Sequence, residues 1–185
     1  MNKIIIIIFS IILLGCNSTK TNIQFSQIDT EYPIILRYSK KYNKFYRIEI
    51  PLKVKIKNNS LKEYSFASIR YVYNSKSGGI TETIYKESNQ DLIEILNNKK
   101  KIIKPNSSDE YIIYSSHRLD SNSHFQENFK SFIGIIQNKY VDTVSIGSVR
   151  NFKKNNKKLL NTLTANDSIS INMWKANDIR IPVKL

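Results

Sequence analysis

The sequence predicts a mainly β protein with one accessory helix. Residues 46–57 carry the clearest signal, because apolar side chains there occupy every second position. A period of two is typical of a strand with one buried face and one wet face. The same alternation returns in shorter form at residues 169–173 and 179–185. Residues 121–137 instead follow the period of a helix.

Strands are expected through most of the chain. They cover residues 32–36, 46–57, 64–73, 80–85, 111–114, 140–149, 169–173 and 179–185, while residues 92–96 stay open between strand and helical turn. Pro51 falls on the wet face of the strand at 46–57 and lacks an N–H. That strand is therefore expected at an edge, bulged or split in two. Residues 74–79 hold Gly78-Gly79 and are expected to form a hairpin loop.

The predicted helix begins after Ser121 or Ser123, either of which suits an N-cap. Its apolar stripe has i, i+4, i+7, i+8 and i+11 spacing and consists of Phe125, Phe129, Phe132, Ile133 and Ile136. The expectation is that this stripe packs across an end of the sheets, with docking of a partner as the alternative. Residues 151–158 are expected to be a basic loop or a short helix.

The N-terminus carries a targeting signal. Lys3 precedes an apolar run over residues 4–14, which at about 1.5 Å per residue spans only half of the roughly 30 Å bilayer core. The run ends in Leu13-Leu14-Gly15-Cys16, and this resembles the lipobox of bacterial lipoproteins. The resemblance implies cleavage before Cys16 and acylation of that cysteine by palmitate-type chains. A cleaved signal peptide with a chance cysteine is the alternative.

The resemblance divides the chain into three parts. Residues 1–15 are the cleaved signal peptide, residues 16–30 a lipidated flexible tether, and residues 31–185 a single β-rich domain. Asn17 is not the aspartate of inner-membrane retention, and the bias toward Ile, Lys and Asn is similar to that of Bacteroidota. Because no acidic export cluster follows Cys16, the expected location is the periplasmic face of the outer membrane. The cell surface is the alternative.

Two short motifs bear on the fold. Lys57-Asn58-Asn59-Ser60 closes one predicted strand, and Pro105-Asn106-Ser107-Ser108 precedes another. This arrangement resembles the small immunoglobulin-like domains of bacterial envelope lipoproteins over about residues 45–115. It implies an immunoglobulin-like antiparallel β-sandwich.

The chain is strongly basic, with a formal net charge of +14. Such a balance suits nucleic acid, anionic lipid or anionic glycan, although codon bias toward lysine, with the charges spread over a solvated surface, is the favoured explanation. An envelope location argues against nucleic acid. The densest basic run consists of Lys153, Lys154, Lys157 and Lys158. These lysines are candidates for binding to an anionic surface, and a solvated loop is the alternative.

The sequence contains few residues that suggest catalysis or metal binding. Ser115, Ser116, His117 and Asp120 are triad residue types, but neighbours on one strand are not expected to converge as a triad does. Two histidines are present, and a metal site drawing on them is a second hypothesis. Its candidate ligands are His117, Asp120, His124 and Glu127. No cofactor is predicted.

Two further sets of residues are candidates for surface roles. Trp174 and the eleven tyrosines suit either a glycan-stacking platform or core packing, and alternation favours the core for most of them. Asp142-Thr143-Val144 and Asp167-Ser168-Ile169 resemble the three-residue O-glycosylation sequon of Bacteroidota. They make Thr143 and Ser168 candidate acceptors.

Together these observations predict an envelope lipoprotein held on the membrane through Cys16. The expected role is a non-enzymatic binding or structural module in the periplasm, with an envelope protein or a glycan as partner. One alternative is an immunity-type lipoprotein that neutralises a toxin. Another is a metal-dependent hydrolase that uses His117 and His124.

Overall fold

The computed structural model describes residues 22–75, 80–81, 83–89, 91–119, 123–175 and 177–185, with the backbone alone for 75, 80–81 and 123–125. The strands within these ranges are β1 (Ile23–Ile28), β2 (Pro33–Ser39), β3 (Lys44–Asn58), β4 (Tyr64–Val72), β5 (Ile80–Thr81), β6 (Ile84–Ser88), β7 (Asp91–Ile95), β8 (Lys101–Ile103), β9 (Ser108–Arg118), β10 (Thr143–Ser148), β11 (Ser168–Met173) and β12 (Ile179–Pro182). The α-helices are α1 (Ser123–Phe129), α2 (Ile133–Lys139) and α3 (Val149–Leu163).

The described strands form two antiparallel sheets. The larger has seven strands in the order β10-β2-β3-β9-β6-β7, with β1 also paired to β3. The smaller has five strands in the order β12-β11-β4-β5, with β8 also paired to β4. The prediction of a mainly β, antiparallel, two-sheet protein is therefore confirmed. Immunoglobulin-like connectivity stays a prediction.

Strand β3 organises the molecule, and its alternation is as predicted from Ile48 onward except at Pro51, which was expected on the wet face and is buried. Ile48, Ile50 and Val54 are fully buried. On one edge β3 pairs with β9 along Arg47–Lys57, and on the other it pairs first with β2 and then with β1. Pro51 lies between these last two partners, since β2 pairs as far as Glu49 and β1 begins at Lys53. The missing N–H thus falls where this edge of β3 is split, and Pro51 is buried there.

Two apolar cores lie on the same face of β3. The C-terminal half of β3 packs against the smaller sheet, with Val54 and Ile56 in contact with a cluster that includes Phe66 and Ile171. The N-terminal half packs against the helices, so Ile48 shares a cluster with residues of α1, α2 and α3. One strand therefore supports a sheet-on-sheet core at one end and a sheet-on-helix core at the other.

The helical prediction for residues 121–137 is confirmed from Ser123, the first of these residues that the structure describes, with a 3₁₀ turn (Lys130–Phe132) that separates α1 from α2. Phe129 and Ile136 of the apolar stripe are buried, and Phe132 and Ile133 pack against the same core. The stripe therefore packs on the larger sheet. The Phe125 side chain, Ser121 and the side chain of Ser123 lie outside the described residues.

A second helix, α3, occupies the segment that the sequence left open between basic loop and short helix. Ser148 caps its start, because the Ser148 Oγ accepts a hydrogen bond from the Asn151 N–H at 3.4 Å. Phe152, Leu159 and Leu160 are buried. These three side chains anchor the helix and leave its lysines on the outside.

Three expectations need correction. Residues 23–28, which were expected in a flexible tether, form strand β1 and pair with β3. The single strand at 80–85 is two strands, and β5 joins the smaller sheet while β6 joins the larger. Tyr46 is exposed rather than buried, because β3 bulges at this residue.

Several predictions fall on undescribed residues. Residues 1–21, which include the predicted signal peptide and Cys16, lie outside the described ranges, as does most of the loop at 74–79. In the part of the chain that the structure describes, no helix combines the length and apolar composition that a bilayer crossing needs.

Candidate functional site

The outer face of the larger sheet, opposite the two cores, holds an open groove of about 520 Å³. We call it the sheet-face groove. It is lined by Ile35, Arg37, Arg47, Glu49, Thr83, Tyr85, Leu92, Tyr114, Ser116 and Thr143. The pairing of Ile35 with Glu49 and of Glu49 with Ser116 places side chains from three neighbouring strands side by side. The groove therefore exists only once these distant segments have paired.

An ion pair fixes the polar side of the groove. Arg37 Nε donates to Glu49 Oε1 at 2.6 Å, and Arg37 Nη2 donates to Glu49 Oε2 at 3.2 Å. These hydrogen bonds raise the pKa of the Arg37 guanidinium. The bidentate geometry holds both planar groups in one orientation. Side-chain exposures of 37% for Arg37 and 16% for Glu49 leave the pair within reach of a ligand.

Two tyrosines form the aromatic side of the groove. The Tyr85 and Tyr114 ring centroids are 6.2 Å apart, and the rings meet edge to face at 89°. Both side chains are half-buried. Burial raises the pKa of Tyr114 to about 12 and also raises the pKa of Tyr85. Both hydroxyls therefore keep their protons at neutral pH and can donate hydrogen bonds.

A ladder of charges continues along the same face. Lys53 Nζ lies 3.2 Å from Glu87 Oε2 and 3.0 Å from Glu110 Oε2, and Lys55 Nζ lies 3.2 Å from Glu110 Oε1. The hydrogen bond from Lys53 lowers the pKa of Glu110. This ladder orders the surface next to the groove. Aromatic faces beside fixed planar polar groups suit a ligand that has both C–H surfaces and hydroxyls.

The predicted triad residues behave differently from expectation. Ser115 and His117 do meet, because residues two apart on a strand share a face, and His117 Nε2 lies 3.0 Å from Ser115 Oγ. Ser115 is fully buried and His117 is 7% exposed. A substrate therefore has no path to the Ser115 hydroxyl in this fold.

These two side chains belong to a buried polar network between the sheets. Tyr71 Oη donates to Asp167 Oδ2 at 2.6 Å, and the Asn74 N–H donates to Asp167 Oδ1. The His117 ring packs edge-on against Tyr71, with the centroids 5.7 Å apart. Burial lowers the pKa of His117, while Asp167 acts in the opposite direction. The network ties β4 and β9 together and gives these residues a structural role.

The metal hypothesis gains no support from the described residues. His117 is held in the buried network, and Glu127 is paired with Lys130 at 2.7 Å on the outside of α1. Asp120 and the His124 side chain lie outside the described residues. Among the side chains that are described, no group of three or more His, Cys, Asp or Glu residues is placed to hold a metal ion.

The predicted basic patch lies on α3. Lys154, Lys157 and Lys158 are exposed, and Lys153 is half-buried. Lys153 lines a separate cleft of about 250 Å³ next to Arg150. Arg150 is itself bound to Asp29 at 3.0 Å. The patch therefore presents its charges from a helix, and its binding to an anionic surface stays a prediction.

The two candidate glycosylation sites differ in access. Thr143 is half-buried at the start of the edge strand β10 and lines the sheet-face groove. Ser168 is 6% exposed, and its strand is paired on both sides. A glycan on the Ser168 Oγ has no room in this fold.

The sequence did not predict a groove, although it singled out two of its lining residues, Ser116 and Thr143, for other roles. Glu49 falls on the predicted wet face of its strand and Arg37 just beyond the predicted strand at 32–36, while the tyrosines were expected mostly in the core, so nothing local marks Arg37, Glu49, Tyr85 and Tyr114 as members of one site. The alternation does place Arg47 and Glu49 on one face. Only the pairing register, which brings together residues as far apart in the chain as Arg37 and Thr143, 106 positions apart, shows which side chains share the groove.

The aromatic prediction is right in part. Tyr38, Tyr71 and Tyr111 are buried, as core packing requires, whereas Tyr42 and Tyr140 are exposed. Trp174 is 49% exposed and its backbone N–H donates to the Ser65 carbonyl at 2.8 Å, on the smaller sheet. Aromatic side chains therefore lie both in the core and on the surface.

Comparison with known proteins gives no independent guide to the groove. Protein-family models, curated proteins and solved structures were compared with the chain, and none of them matches it. The geometry of the sheet-face groove is therefore what bears on function.

Proposed function

We propose that the chain is a lipid-anchored envelope protein that acts as a non-enzymatic binding module. Its sheet-face groove holds a glycan of the cell envelope. The observation that carries the proposal is the Arg37–Glu49 pair facing the Tyr85 and Tyr114 rings across one open groove.

The anchoring part of the proposal rests on Leu13-Leu14-Gly15-Cys16. Because β1 begins at Ile23, the tether covers residues 16–22, which reach at most about 24 Å when extended. Two or three acyl chains on Cys16 give stable anchoring, whereas one chain gives only marginal binding. The folded part therefore stays close to the membrane that holds it.

The glycan part rests on the chemistry of the groove. A pyranose offers a C–H face that packs on an aromatic ring and hydroxyl groups that bind planar polar side chains. The Arg37–Glu49 pair is already oriented, so little side-chain entropy is lost on binding. The open shape favours an extended chain of sugars over an enclosed small molecule. A protein partner on the same face is the competing assignment, and it predicts that the chain is not retained on any of the glycans in the binding experiment.

The anchor is tested by metabolic labelling of the full chain with a palmitate analogue in a bacterial host. The wild-type chain is expected to carry label and to sediment with membranes. Cys16→Ala is expected to lose the label, whereas Ser18→Ala, a neighbouring control, keeps it. Equal labelling of the wild type and the Cys16→Ala variant contradicts the anchor.

The binding function is tested by co-sedimentation of the full chain, in detergent, with insoluble peptidoglycan and with beads that carry polygalacturonate or its methyl ester. We expect retention on at least one glycan and loss of that retention in a Tyr85→Ala/Tyr114→Ala variant. Trp174→Ala, which removes an exposed aromatic from the other sheet, is the matched control. Retention that is equal in all three chains contradicts the groove.

A further inference from the structure

The tip of the β2–β3 hairpin carries a second hollow, of about 510 Å³, beside the groove. We call it the tyrosine hollow. It is lined by Tyr38, Ser39, Tyr42, Lys44 and Tyr46. Tyr42 is 62% exposed and Tyr46 is 37% exposed, and exposed tyrosine rings of this kind are enriched at binding surfaces.

A β-bulge gives the hollow its shape. Arg37 pairs with Arg47, but Tyr38 pairs with Phe45, so Tyr46 is the extra residue on β3. Phe45 stays in the core at 1% exposure, and Tyr46 is turned outward. Bulges often re-aim a side chain beside a binding site. The break in alternation at Tyr46 is therefore what opens the wall of the hollow.

Two lysine side chains lie close to the Tyr42 ring of the hollow. The Lys41 and Lys44 ammonium groups lie 5.2 Å and 5.6 Å from the Tyr42 ring centroid. Residues 38–47 contain four lysine or arginine residues and no acidic residue, so the hairpin tip has a formal charge of +4. Such a local excess attracts anionic groups.

Arg47 connects the hollow to the groove. Its guanidinium lies 5.7 Å from the centroid of the Tyr46 ring, which lines the hollow. The same Arg47 side chain lines the sheet-face groove. One extended ligand can therefore run from the groove over Arg47 into the hollow.

We propose that the tyrosine hollow binds an acidic sugar residue and makes the groove selective for an anionic glycan. The Tyr42 and Tyr46 rings pack on the C–H face of the sugar, and the Lys41 and Lys44 ammonium groups pair with its carboxylate. This inference rests on the proposed glycan function and names its ligand class.

The position of the hollow favours a glycan over a lipid surface. The hairpin tip and Asn22 lie at opposite ends of β3, since Asn22 bonds to Asn59 just beyond the last residue of that strand. Fifteen residues of strand span about 50 Å at roughly 3.3 Å per residue. The hollow is thus far from the point at which the lipidated tether enters the fold.

The test compares polygalacturonate with its methyl ester, two probes that differ in charge but share one backbone. Affinity of the full chain for each is measured by calorimetry at low and at high salt. We expect tighter binding of the acid form, weakened by salt. A Lys41→Gln/Lys44→Gln variant is expected to lose about ten-fold in affinity for the acid form and to keep its affinity for the ester.

A Lys99→Gln/Lys100→Gln variant is the control, because it removes the same charge from two exposed lysines elsewhere. Tyr42→Ala, which leaves every lysine in place, is a second variant and is expected to weaken binding of both forms. Equal affinity of the wild type for the acid and the ester overturns the inference but leaves the glycan function standing. Binding of neither form overturns the inference, and the absence of retention on peptidoglycan as well overturns the glycan function too.

Anionic phosphatidylglycerol vesicles form the last arm. Binding of these vesicles that depends on Lys41 and Lys44, without any preference for the acid glycan, assigns the hollow to a lipid surface and overturns the inference.

Discussion

His117 Nε2 lies 3.0 Å from Ser115 Oγ in the buried layer between the two sheets. The two atoms are as close as those of a catalytic dyad, but both side chains are buried, so the contact has a structural role. Asp167, Tyr71 and Tyr73 are the other titratable groups next to the imidazole. The network is therefore a stability element, and it makes stability depend on pH.

The first prediction concerns that pH dependence. Burial lowers the pKa of His117, whereas in the unfolded chain the imidazole titrates near about 6.5. Below pH 6.5 the unfolded chain takes up a proton that the folded chain does not. The free energy of unfolding therefore falls as the pH drops from 6.5 toward the folded pKa, by up to about 1.4 kcal/mol per pH unit.

Urea denaturation at pH 7.5 and pH 5.5, followed by the fluorescence of the single Trp174, measures this slope. His117→Gln removes the titrating group and is expected to flatten the slope between these values. An unchanged slope in the variant would show that His117 does not titrate differently in the folded chain.

The second prediction concerns Asn58, which is fully buried. Its amide Nδ2 donates to the carbonyls of Lys62, Ile103 and Lys104 at 2.8–3.2 Å, and its Oδ1 accepts from Ser60. Asn58→Ala leaves buried backbone carbonyls without partners and is expected to cost about 2–3 kcal/mol of stability. Asn59→Ala, at an exposed position, is expected to change stability by less than about 0.5 kcal/mol. Similar losses in the two variants in chemical denaturation would refute this role for Asn58.

The third prediction concerns the Arg37–Glu49 pair. Because Arg37 is 37% exposed, water and salt screen the pair, and the coupling energy is expected to be about 0.5–1 kcal/mol. A double-mutant cycle with Arg37→Met and Glu49→Gln measures it in denaturant at 50 mM and 500 mM salt. The coupling is expected to shrink at the higher salt. A coupling of zero at low salt would mean that the pair does not fix the groove.

The fourth prediction concerns Tyr140, which ends α2 in the left-handed region with φ 55° and is 85% exposed. A residue with a side chain is strained in that region, and glycine is not. Tyr140→Gly is therefore expected to raise the free energy of unfolding by about 1 kcal/mol. Lys139→Gly, one residue earlier and still helical, is expected to lower it by about 1 kcal/mol. Destabilisation by both variants would show that the Tyr140 ring contributes more than its backbone costs.

Local patterns predicted the local structure well. The alternation of β3 and the apolar stripe of α1 and α2 are properties of neighbouring residues, so they are visible in the sequence. The Lys57-Asn58-Asn59-Ser60 motif closes β3 as predicted, and the buried Asn58 amide in it bridges the loops that contain Lys62 and Lys104.

Non-local pairing explains what the sequence missed. Ile23–Ile28 looks like a polar tether until it pairs with the far end of β3. The bulge at Tyr46 depends on the register between β2 and β3, and the buried face of α3 is recognised only once the larger sheet is present. The groove was missed for the same reason, since its residues come from six strands and the segment between β5 and β6.

The most direct test of the central claim is the affinity of the sheet-face groove for a glycan. Calorimetry with the full chain, using the glycan that retains it best, compares the wild type with Tyr114→Ala and Trp174→Ala. The account predicts that Tyr114→Ala weakens binding about ten-fold, while Trp174→Ala binds as the wild type does. Equal affinity of Tyr114→Ala and the wild type would contradict a glycan site in this groove.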